Sequence, residues 1–375
     1  MKVHVQPFTE PWIAPVREFN ARLQAVGLDA DLQFPESPVP EFPAQPGRDF
    51  FQEYYLATES EPPAVRGCFW LTFEPWILDG EQISTSHYRL PVSEGIANAD
   101  YKPVAGELMK AALARQPFLY CLGMGGFDRP VTKSLKKQGW HMAAIPFFFR
   151  VVHPGRFLRE MPSLQQSPLR RAAAAAGAWT GTGWAGIHGA QWFRTQHPPA
   201  AETIQTEWIQ SFGDADEALW RTAAPAYRFL ARRDTETLNL RYGSTTFRRS
   251  LRLAVRRGDR YLGWAACLDT PMRGNKYFGN LRVGSLIDIF AHPDDAVAVA
   301  GAAWRVLAAR GVDLIVANFS HRAWQNALTA NGFWRTSSNY VFAVSVPLGE
   351  RLAPMETSLP DFHITRADGP GPTRL

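Results

Sequence analysis

Cysteine is scarce in this 375-residue chain, which contains only Cys68, Cys121 and Cys267. The three lie far apart in apolar segments, so a disulfide framework is excluded and we expect buried, reduced thiols. Long apolar runs are also missing, because the longest, AAIPFFF, is far shorter than the roughly 20 residues that span a bilayer. The first residues lack the basic-then-apolar layout of a signal peptide. The sequence therefore predicts a cytoplasmic protein without a membrane span.

Several catalytic signatures are missing as well. The chain has no phosphate-binding P-loop, no Cys/His spacing typical of a metal site and no Gly-x-Ser-x-Gly nucleophile turn. The run GMGGF at 123–127 is rich in glycine, but it lacks the spacing of a dinucleotide-binding loop. These absences exclude the corresponding enzyme classes from the prediction, and no metal is expected.

Acidic residues are outnumbered, and the imbalance is local. The whole chain carries 40 Lys+Arg against 35 Asp+Glu, a net charge of +5. The segment Arg228–Arg260 has ten Arg, three acids and no Lys, so it contributes 10 − 3 = +7 and the remainder 5 − 7 = −2. This asymmetry favours an anionic partner such as a phosphate-bearing cofactor, a nucleotide or RNA; the alternative is a solvated face.

The same order of predicted elements occurs twice along the chain. The first half reads as helix, three strands, helix, strand, short helix and strand, with predicted bounds of 11–27, 54–58, 67–78, 83–90, 103–114, 118–125, 129–139 and 142–152. The second half repeats this order at 214–222, 251–255, 261–268, 283–290, 295–310, 312–319, 321–332 and 340–346. The repeat predicts two similar α/β domains with mixed sheets.

The domain boundaries follow from this repeat. We predict an N-terminal domain at 1–160, a linker and packing segment at 161–200, a C-terminal domain at 201–350 and a loose tail at 351–375. The linker prediction rests on an Ala run mixed with Gly, Thr and Pro. The tail prediction rests on Pro and Gly without periodicity.

The element order, with QGWH or NGFW after each second helix, resembles the GCN5-related N-acetyltransferase (GNAT) superfamily over roughly 10–155 and 205–346. The resemblance implies two tandem GNAT-like domains and a phosphate-cradling turn after each fourth strand. In the second half, His292 falls in that turn and Gly301 takes the last glycine position. Ala296, Val297 and Val299 stand where the family has an Arg and two Gly, so the motif is degenerate.

The turn of the first half retains less of the family pattern. It runs from Ala97 to Lys102 before the predicted helix 103–114, and Lys102 supplies a cation for a phosphate at the helix N-terminus. The resemblance further implies that Asn318, after the fifth strand, binds the pantetheine arm or a substrate amide. The alternative role for Asn318 is to cap the following helix.

The chemistry that the resemblance implies is attack of an amine on an acyl thioester, which needs a base and a proton donor. Asp288 stands at the family's acidic position between apolar neighbours, which favours a raised pKa and a base role; a hydrogen-bonded structural carboxylate is the alternative. Glu94 is the candidate base of the first half. Leu135 and Leu328 occupy the places of the family's proton-donating Tyr, so both copies lack that group.

The sequence thus predicts a tandem GNAT-like N-acyltransferase that uses acetyl-CoA or another acyl-CoA and acts on a small amine or amino sugar, with no DNA partner. One alternative is an aminoacyltransferase that resembles the peptidoglycan-bridge (Fem-like) enzymes and takes aminoacyl-tRNA. Degenerate phosphate turns and the Arg-rich segment suit that alternative. The other is a catalytically inactive scaffold that binds a ligand or a protein.

Overall fold

The architecture is mixed α/β, with two separate sheets and helices packed on them. It is seen in a computed structural model, which describes residues 3–28, 33–167, 172, 176–178, 180–195 and 203–370. Much of the predicted linker at 161–200 lies outside these residues. The predicted repeat of elements is confirmed, because each half contributes its own sheet.

The strands are β1 (His4–Pro7), β2 (Phe51–Ser60), β3 (Pro63–Leu78), β4 (Glu81–Ser93), β5 (Leu119–Gly123), β6 (His141–Ala144), β7 (Phe147–Val151), β8 (Ile204–Ile209), β9 (Phe229–Ala231), β10 (Leu251–Arg257), β11 (Arg260–Pro271), β12 (Arg282–Ala291), β13 (Leu314–Asn318), β14 (Trp334–Thr336), β15 (Val341–Val344) and β16 (Phe362–His363).

The α-helices are α1 (Ile13–Ala25), α2 (Val104–Arg115), α3 (Pro130–Lys137), α4 (Pro154–Glu160), α5 (Thr182–Arg194), α6 (Asp214–Ala223), α7 (Thr235–Gly243), α8 (Ala296–Ala309), α9 (Arg322–Ala330), α10 (Val346–Leu352) and α11 (Met355–Ser358). Among the described residues, no helix is both long and apolar enough to cross a membrane. All three cysteines are buried and unpaired, as predicted.

The two sheets share one plan. The first has the order β1-β2-β3-β4-β5-β15-β6, with β9 beside β3 and β16 beside β9; the second has the order β14-β7-β13-β12-β11-β10-β8. The central pairs β4–β5 and β12–β13 are parallel, and their neighbours in each sheet are antiparallel. Helices α2 and α8 provide the crossovers between these parallel pairs, as parallel strands require.

Each sheet includes strands from the other half of the sequence: the first sheet contains β9, β15 and β16, and the second contains β7. Strand β7, from the first half, pairs with β13 in the second sheet, and β15, from the second half, lies between β5 and β6 in the first. The prediction of one closing strand at 142–152 is therefore wrong, because the segment divides between the two sheets. Pro146 has no N–H to donate to the hydrogen bonds of a strand, so the strand breaks there. Asn318 Nδ2 donates to the carbonyls of Ile145 and Pro146 at 3.3 and 3.0 Å.

The prediction of a loose tail is wrong for the part of 351–375 that the structure describes, which ends at residue 370. Phe362, His363, Ile364 and Thr365 are fully buried. Strand β16 pairs in parallel with β9, and the segment then continues between the two sheets. Periodicity does not predict this path, because a buried segment without regular helix or strand repeats leaves no period-2 or period-3.6 pattern.

Candidate functional site

The two parallel strands at the centre of the first sheet separate after a short contact. Strands β4 and β5 pair only at Ser86 with Leu119 and at His87 with Tyr120. Strand β4 continues to residue 93, and no described strand pairs with its outer part on the side of β5. We call the space between the outer parts of β4 and β5 the first-sheet gap. At its inner end Cys121 Sγ of β5 donates to the Tyr88 carbonyl of β4 at 3.2 Å.

A bulge in β4 lies beside this gap. Trp70 pairs with Arg89 and Cys68 with Val92, so two residues of β4, Leu90 and Pro91, stand opposite one residue of β3. Leu90 has a φ of 47°, a strained conformation for a branched apolar residue. A bulge removes its extra residue from the ladder and often lies next to an active site.

The second sheet has the same bulge, but its gap is filled. Ala266 pairs with Asp288 and Cys267 with Leu286, which leaves Ile287 as the extra residue of β12. The strands β12 and β13 pair only up to Leu286 and Ala317. Beyond that point the space between them holds residues 362–368 of the same chain.

These C-terminal residues bond to both walls of the second gap. On the β12 side, His363 Nε2 lies 2.8 Å from the Ile289 carbonyl, and Thr365 Oγ1 donates to Asp288 at 3.1 Å. On the β13 side, the Ile364 N–H donates to Ser320 Oγ at 2.8 Å. In the second sheet the space beside the fourth strand is therefore filled by the chain itself.

A row of polar side chains crosses the first sheet beside its gap. Gln52 of β2 is paired with Thr72 of β3, Thr72 with His87 of β4, and His87 with Tyr120 of β5. We call these four residues the polar row. They form one wall of a cavity of about 40 Å³. This volume is large enough for a few waters. Phe42 and Phe50 contribute to the opposite wall. The buried face of a sheet normally carries apolar residues. Buried polar groups on such a face indicate a functional site.

His87 is the titratable member of the row. Its ring stacks on Tyr120 with centroids 5.1 Å apart, and among the described residues it has no hydrogen-bond partner. Burial, helped by the nearby charge of Arg89, lowers the pKa of His87 to about 3. The imidazole is therefore neutral at pH 7, and it lines the cavity.

Arg89 lies two residues further along β4, on the same face. Burial lowers the pKa of Arg89 to about 10, and its guanidinium packs over the Trp70 ring, 4.6 Å from the centroid. No described carboxylate forms an ion pair with it. The cavity thus combines a neutral imidazole with a cation.

Five buried charges close the other side of the cavity. They form what we call the central cluster, which consists of Glu74, Arg233, Arg241, Asp288 and Asp368. Arg233 contacts Asp368 at 2.8 Å and Asp288 at 3.0 Å, and Arg241 contacts Glu74 and Asp368. Glu74 and Asp368 also line the cavity. The cluster joins both sheets, α7 and the C-terminal segment, and its three carboxylates exceed its two guanidiniums.

Asp288 lies deep in this cluster rather than at an open cleft. Its carboxylate accepts hydrogen bonds from Arg233 and Thr365 through Oδ1 and from Tyr242 through Oδ2, at 2.9 Å for the last. Its side chain has no exposed surface. This environment favours the structural alternative for Asp288, and its role as a base stays a prediction.

The Glu94 carboxylate also accepts hydrogen bonds from side chains of the fold. It accepts from Arg22 at 2.8 Å and from Arg66 at 2.9 Å. Burial alone would raise the pKa of Glu94, but these hydrogen bonds outweigh it and hold the pKa below its usual value. The two guanidiniums keep the Glu94 carboxylate ionised, and the contact with Arg22 fixes α1 to the start of the 94–103 turn. The catalytic role of Glu94 stays a prediction.

The turn at 94–103 follows β4 at the mouth of the first-sheet gap. A Cβ on Gly95 would lie 2.8 Å from the Lys102 Cα, so only glycine permits this tight turn. Ala97 and Lys102 are exposed, and Lys102 has no ion pair among the described residues. The turn leads into α2, whose N-terminus carries no side-chain cap.

The corresponding turn of the second half is less suited to a phosphate. His292 caps it by accepting from the Asp294 N–H, and Asp294 and Asp295 place two carboxylates at the start of α8. Acids at a helix N-terminus repel other anions. Gly301 serves packing, because a Cβ there would lie 2.8 Å from the Asn331 Oδ1 atom that also accepts from Trp304.

Asn318 is fully buried between the sheets. Its Nδ2 donates to the carbonyls of Ile145 and Pro146, and its Oδ1 accepts from Arg366 at 2.9 Å. The helix α9 is capped by His321 instead. Asn318 therefore fixes the exchanged segment, and contact with a pantetheine arm stays a prediction.

The sequence reasoning missed the polar row and the central cluster. A signal for the row existed, since Gln52, Thr72 and His87 interrupt strands that are otherwise rich in aromatic and aliphatic residues. A lone histidine on a strand is typical of a satisfied structural residue, and the absence of a hydrogen-bond partner for His87 among the described residues does not support that interpretation. No sequence pattern pairs Arg233 with Asp368, because they are 135 residues apart.

Buried histidines make the stability of the fold depend on pH. Burial lowers the pKa of His87 to about 3 and that of His321 to about 4, and it also lowers the pKa of His363. The unfolded chain takes up these protons near pH 6.5, whereas the folded protein does so only at lower pH. We therefore expect the free energy of unfolding to fall as the pH drops from 7.5 to 5.

Urea unfolding at several pH values checks this expectation, and the midpoint should decrease steadily below pH 6.5. His87→Gln should flatten the decrease, whereas His141→Gln, which removes an exposed histidine, should not. A midpoint that stays constant between pH 7.5 and 5 would contradict the buried, neutral state of these rings.

Comparison with known proteins supports the fold. No family model matches the sequence, and no curated protein matches it. A probable N-acyltransferase of unknown function from Enterococcus faecalis aligns with a TM-score of 0.52 at 10% identity, covering 92% of this chain and 72% of that one. A GCN5-related N-acetyltransferase from Anabaena variabilis aligns with a TM-score of 0.51 at 9% identity, covering 91% and 72%.

A Saccharomyces cerevisiae N-myristoyltransferase with bound myristoyl-CoA aligns at a TM-score of 0.48 and 10% identity over 92% of this chain and 82% of that one, a likeness that supports no conclusion. The class of fold is nevertheless clear from the first two. The protein has the mixed α/β fold of the GNAT superfamily, in the form of two GNAT-like sheets that share strands.

Proposed function

We propose that this protein is an N-acyltransferase that moves an acyl group from acyl-CoA or a related thioester to a small amine. The observation that carries the proposal is the first-sheet gap, where β4 and β5 stop pairing beside a strained bulge and a cavity lined by the imidazole of His87. In the second sheet, residues 362–368 fill the corresponding gap. The GNAT-like fold is consistent with a donor site in the first half and a filled gap in the second.

The thioester arm enters the first-sheet gap between β4 and β5. Pro91 has no N–H, so the Leu90 N–H is the bulge donor that we assign to the thioester carbonyl oxygen. The exposed turn at Ala97–Lys102 and the uncapped N-terminus of α2 face the phosphates of the donor, since helix N-terminal N–H groups and a lysine both favour anions.

The acceptor amine binds in the cavity against the polar row. Its nitrogen attacks the thioester carbon, an N–C bond forms, and the C–S bond breaks. The neutral imidazole of His87 accepts a hydrogen bond from the attacking nitrogen and orients its lone pair. The proton that the nitrogen loses goes to water, and the departing thiolate takes a proton from water.

A thermal-shift assay with acetyl-CoA, longer acyl-CoAs and aminoacyl-tRNA tests the donor. A ligand that binds only the folded state raises the melting temperature. We expect acyl-CoA to stabilise the protein and Lys102→Glu to weaken its affinity by about threefold to tenfold. Lys110→Glu, a change to an exposed lysine within α2, is the matched control and should bind like wild type.

The outcomes separate the alternatives. Stabilisation by aminoacyl-tRNA alone would favour the Fem-like reaction, in which an ester replaces the thioester. No stabilisation by any of these donors would contradict the proposal and favour an inactive scaffold. Equal affinities of Lys102→Glu and wild type for acyl-CoA would remove the first-half turn from the donor site.

A further inference from the structure

The cavity beside the polar row contains a cation that the fold leaves without a counter-ion. Among the described residues, the charged side chains that line the cavity are Glu74, Arg89, Arg241 and Asp368. Arg241 contacts both carboxylates, so these three charges are compensated within the central cluster. Arg89 has neither an ion pair nor a hydrogen-bond acceptor in the part of the chain that the structure describes. The uncompensated charge of the cavity wall is therefore positive.

One further acid, Glu41, contributes to the electrostatic environment of Arg89. Its carboxylate accepts hydrogen bonds from the hydroxyls of Thr245 and Thr246, and from the Thr246 N–H at 3.1 Å. These contacts tie Glu41 to the segment after α7, and within the described residues it forms no ion pair with Arg89. An anion that enters the cavity thus meets a guanidinium whose donors are not taken by the fold.

The guanidinium of Arg89 is positioned for a carboxylate. Arg89 is half-buried and packs over the ring of Trp70, its partner in the register of β3 and β4. Contact with an aromatic ring uses the face of a guanidinium and leaves the N–H groups at its edge, which match the two oxygens of a carboxylate. A charge removed from water without a partner is unfavourable, and a bound carboxylate would offset that effect.

The register of β4 relates Arg89 to the residue that orients the attacking nitrogen. His87 and Arg89 pair with Thr72 and Trp70 in a regular stretch, so both side chains lie on the cavity face. Two residues along a strand are about 7 Å apart. With a hydrogen bond of about 3 Å at each end, this space fits a molecule whose amine and anion are about one or two carbons apart.

The size of the cavity sets the same limit. Its volume of about 40 Å³ has room for a molecule of only a few non-hydrogen atoms. The rings of Phe42, Phe50 and Phe247 line it on the side away from the strands. An acceptor with a bulky side chain is therefore disfavoured.

We propose that the acceptor is a short amino acid such as glycine or β-alanine. Its carboxylate binds the guanidinium of Arg89, and its amine lies against His87. This assignment rests on the acyl transfer proposed above and narrows the acceptor from any small amine to one that carries an anion. The carboxylate is unchanged in the reaction, so the products are an N-acyl amino acid and the free thiol of the donor.

Steady-state acyl transfer to glycine and to glycinamide, its analogue without the negative charge, tests the proposal in the wild type. After correction for the fraction of free amine, kcat/KM should be about 10- to 100-fold higher for glycine, the effect of a charge-assisted, bidentate contact. γ-Aminobutyrate should be a poorer acceptor than glycine, because its two groups are too far apart. Equal values for glycine and glycinamide would overturn the proposal.

Substitution of Arg89 tests its role. Arg89→Gln should lower kcat/KM for glycine about 10- to 100-fold and change that for glycinamide no more than about twofold. Arg89→Lys keeps the charge but not the planar fork, so its loss should be smaller. Arg115→Gln is the matched control, because Arg115 also lies 4.6 Å from an aromatic centroid, that of Phe73, but does not line the cavity. It should retain the preference of the wild type for glycine.

Binding without turnover separates this inference from the proposed function. Calorimetric titration of the full-length protein with glycine, with and without CoA, should show binding that Arg89→Gln weakens at least about tenfold. If no amine is acylated but glycine binds through Arg89, acyl transfer fails and the carboxylate site stands. If other amines are acylated while glycine neither binds nor reacts, the carboxylate site fails and acyl transfer stands. If Arg89→Gln does not fold, the comparison of glycine with glycinamide in the wild type still decides.

Discussion

His87→Leu is expected to lower the turnover number of acyl transfer about 10–10²-fold, because the attacking nitrogen loses a buried hydrogen-bond acceptor. Leucine fills a similar volume but has no polar atom. The change leaves the turn at 94–103 untouched, so the affinity for acyl-CoA should stay near that of wild type. Steady-state kinetics with a panel of small amines, together with donor titration, measures both quantities.

Two comparisons make this result specific. His141→Gln, which changes an exposed histidine of β6, should have full turnover. Thr72→Val removes a hydroxyl from the polar row without a titratable group and should raise the KM for the amine more than it lowers kcat. If His87→Leu keeps full turnover, another group orients the attacking nitrogen, and Glu94 and Asp288 become the residues to test.

Asp288→Asn is expected to destabilise the protein by about 3–5 kcal/mol, because it leaves Arg233 without one of its two carboxylates in a solvent-free place. Tyr242 and Thr365 also lose a charged acceptor. The midpoint of urea unfolding, at an unchanged slope, measures the loss. Asp294→Asn alters an acid that is 87% exposed and should change stability by no more than about 0.5 kcal/mol.

The opposite outcome would restore the catalytic prediction for Asp288. If Asp288→Asn unfolds at the same urea concentration as wild type but loses turnover, the carboxylate acts in the reaction rather than in the fold. A variant that is less stable yet retains its turnover at low temperature assigns Asp288 to the central cluster alone.

Local sequence patterns were sufficient for most regular elements. The periodicities predicted α2, α8 and α9 to within about two residues, because apolar faces and stopping glycines such as Gly311 and Gly332 act within a few residues. The duplicated order predicted two sheets for the same reason. Short strands such as β8 and β9 were missed, since a few residues give too little alternation to detect.

The candidate site was much harder to predict, because its contacts are distant in sequence. Tyr120 donates to the Asp368 carbonyl across 248 positions, and Arg233 meets Asp288 across 55. Gln52, Thr72 and His87 become neighbours only when three strands pair in one register. A single sequence contains the residue types but not the register, so the polar row could not be assembled from it.

The sharing of strands has a consequence for how the chain is made. During synthesis, β5 and β6 emerge from the ribosome about 200 residues before β15, the strand that joins them. The first sheet cannot close until residue 344 has been translated, and β7 must wait for β13 at 314–318. The two halves are therefore a single unit of biosynthesis, and a nascent chain that pauses between them exposes the unpaired edges of β5 and β6 to other chains.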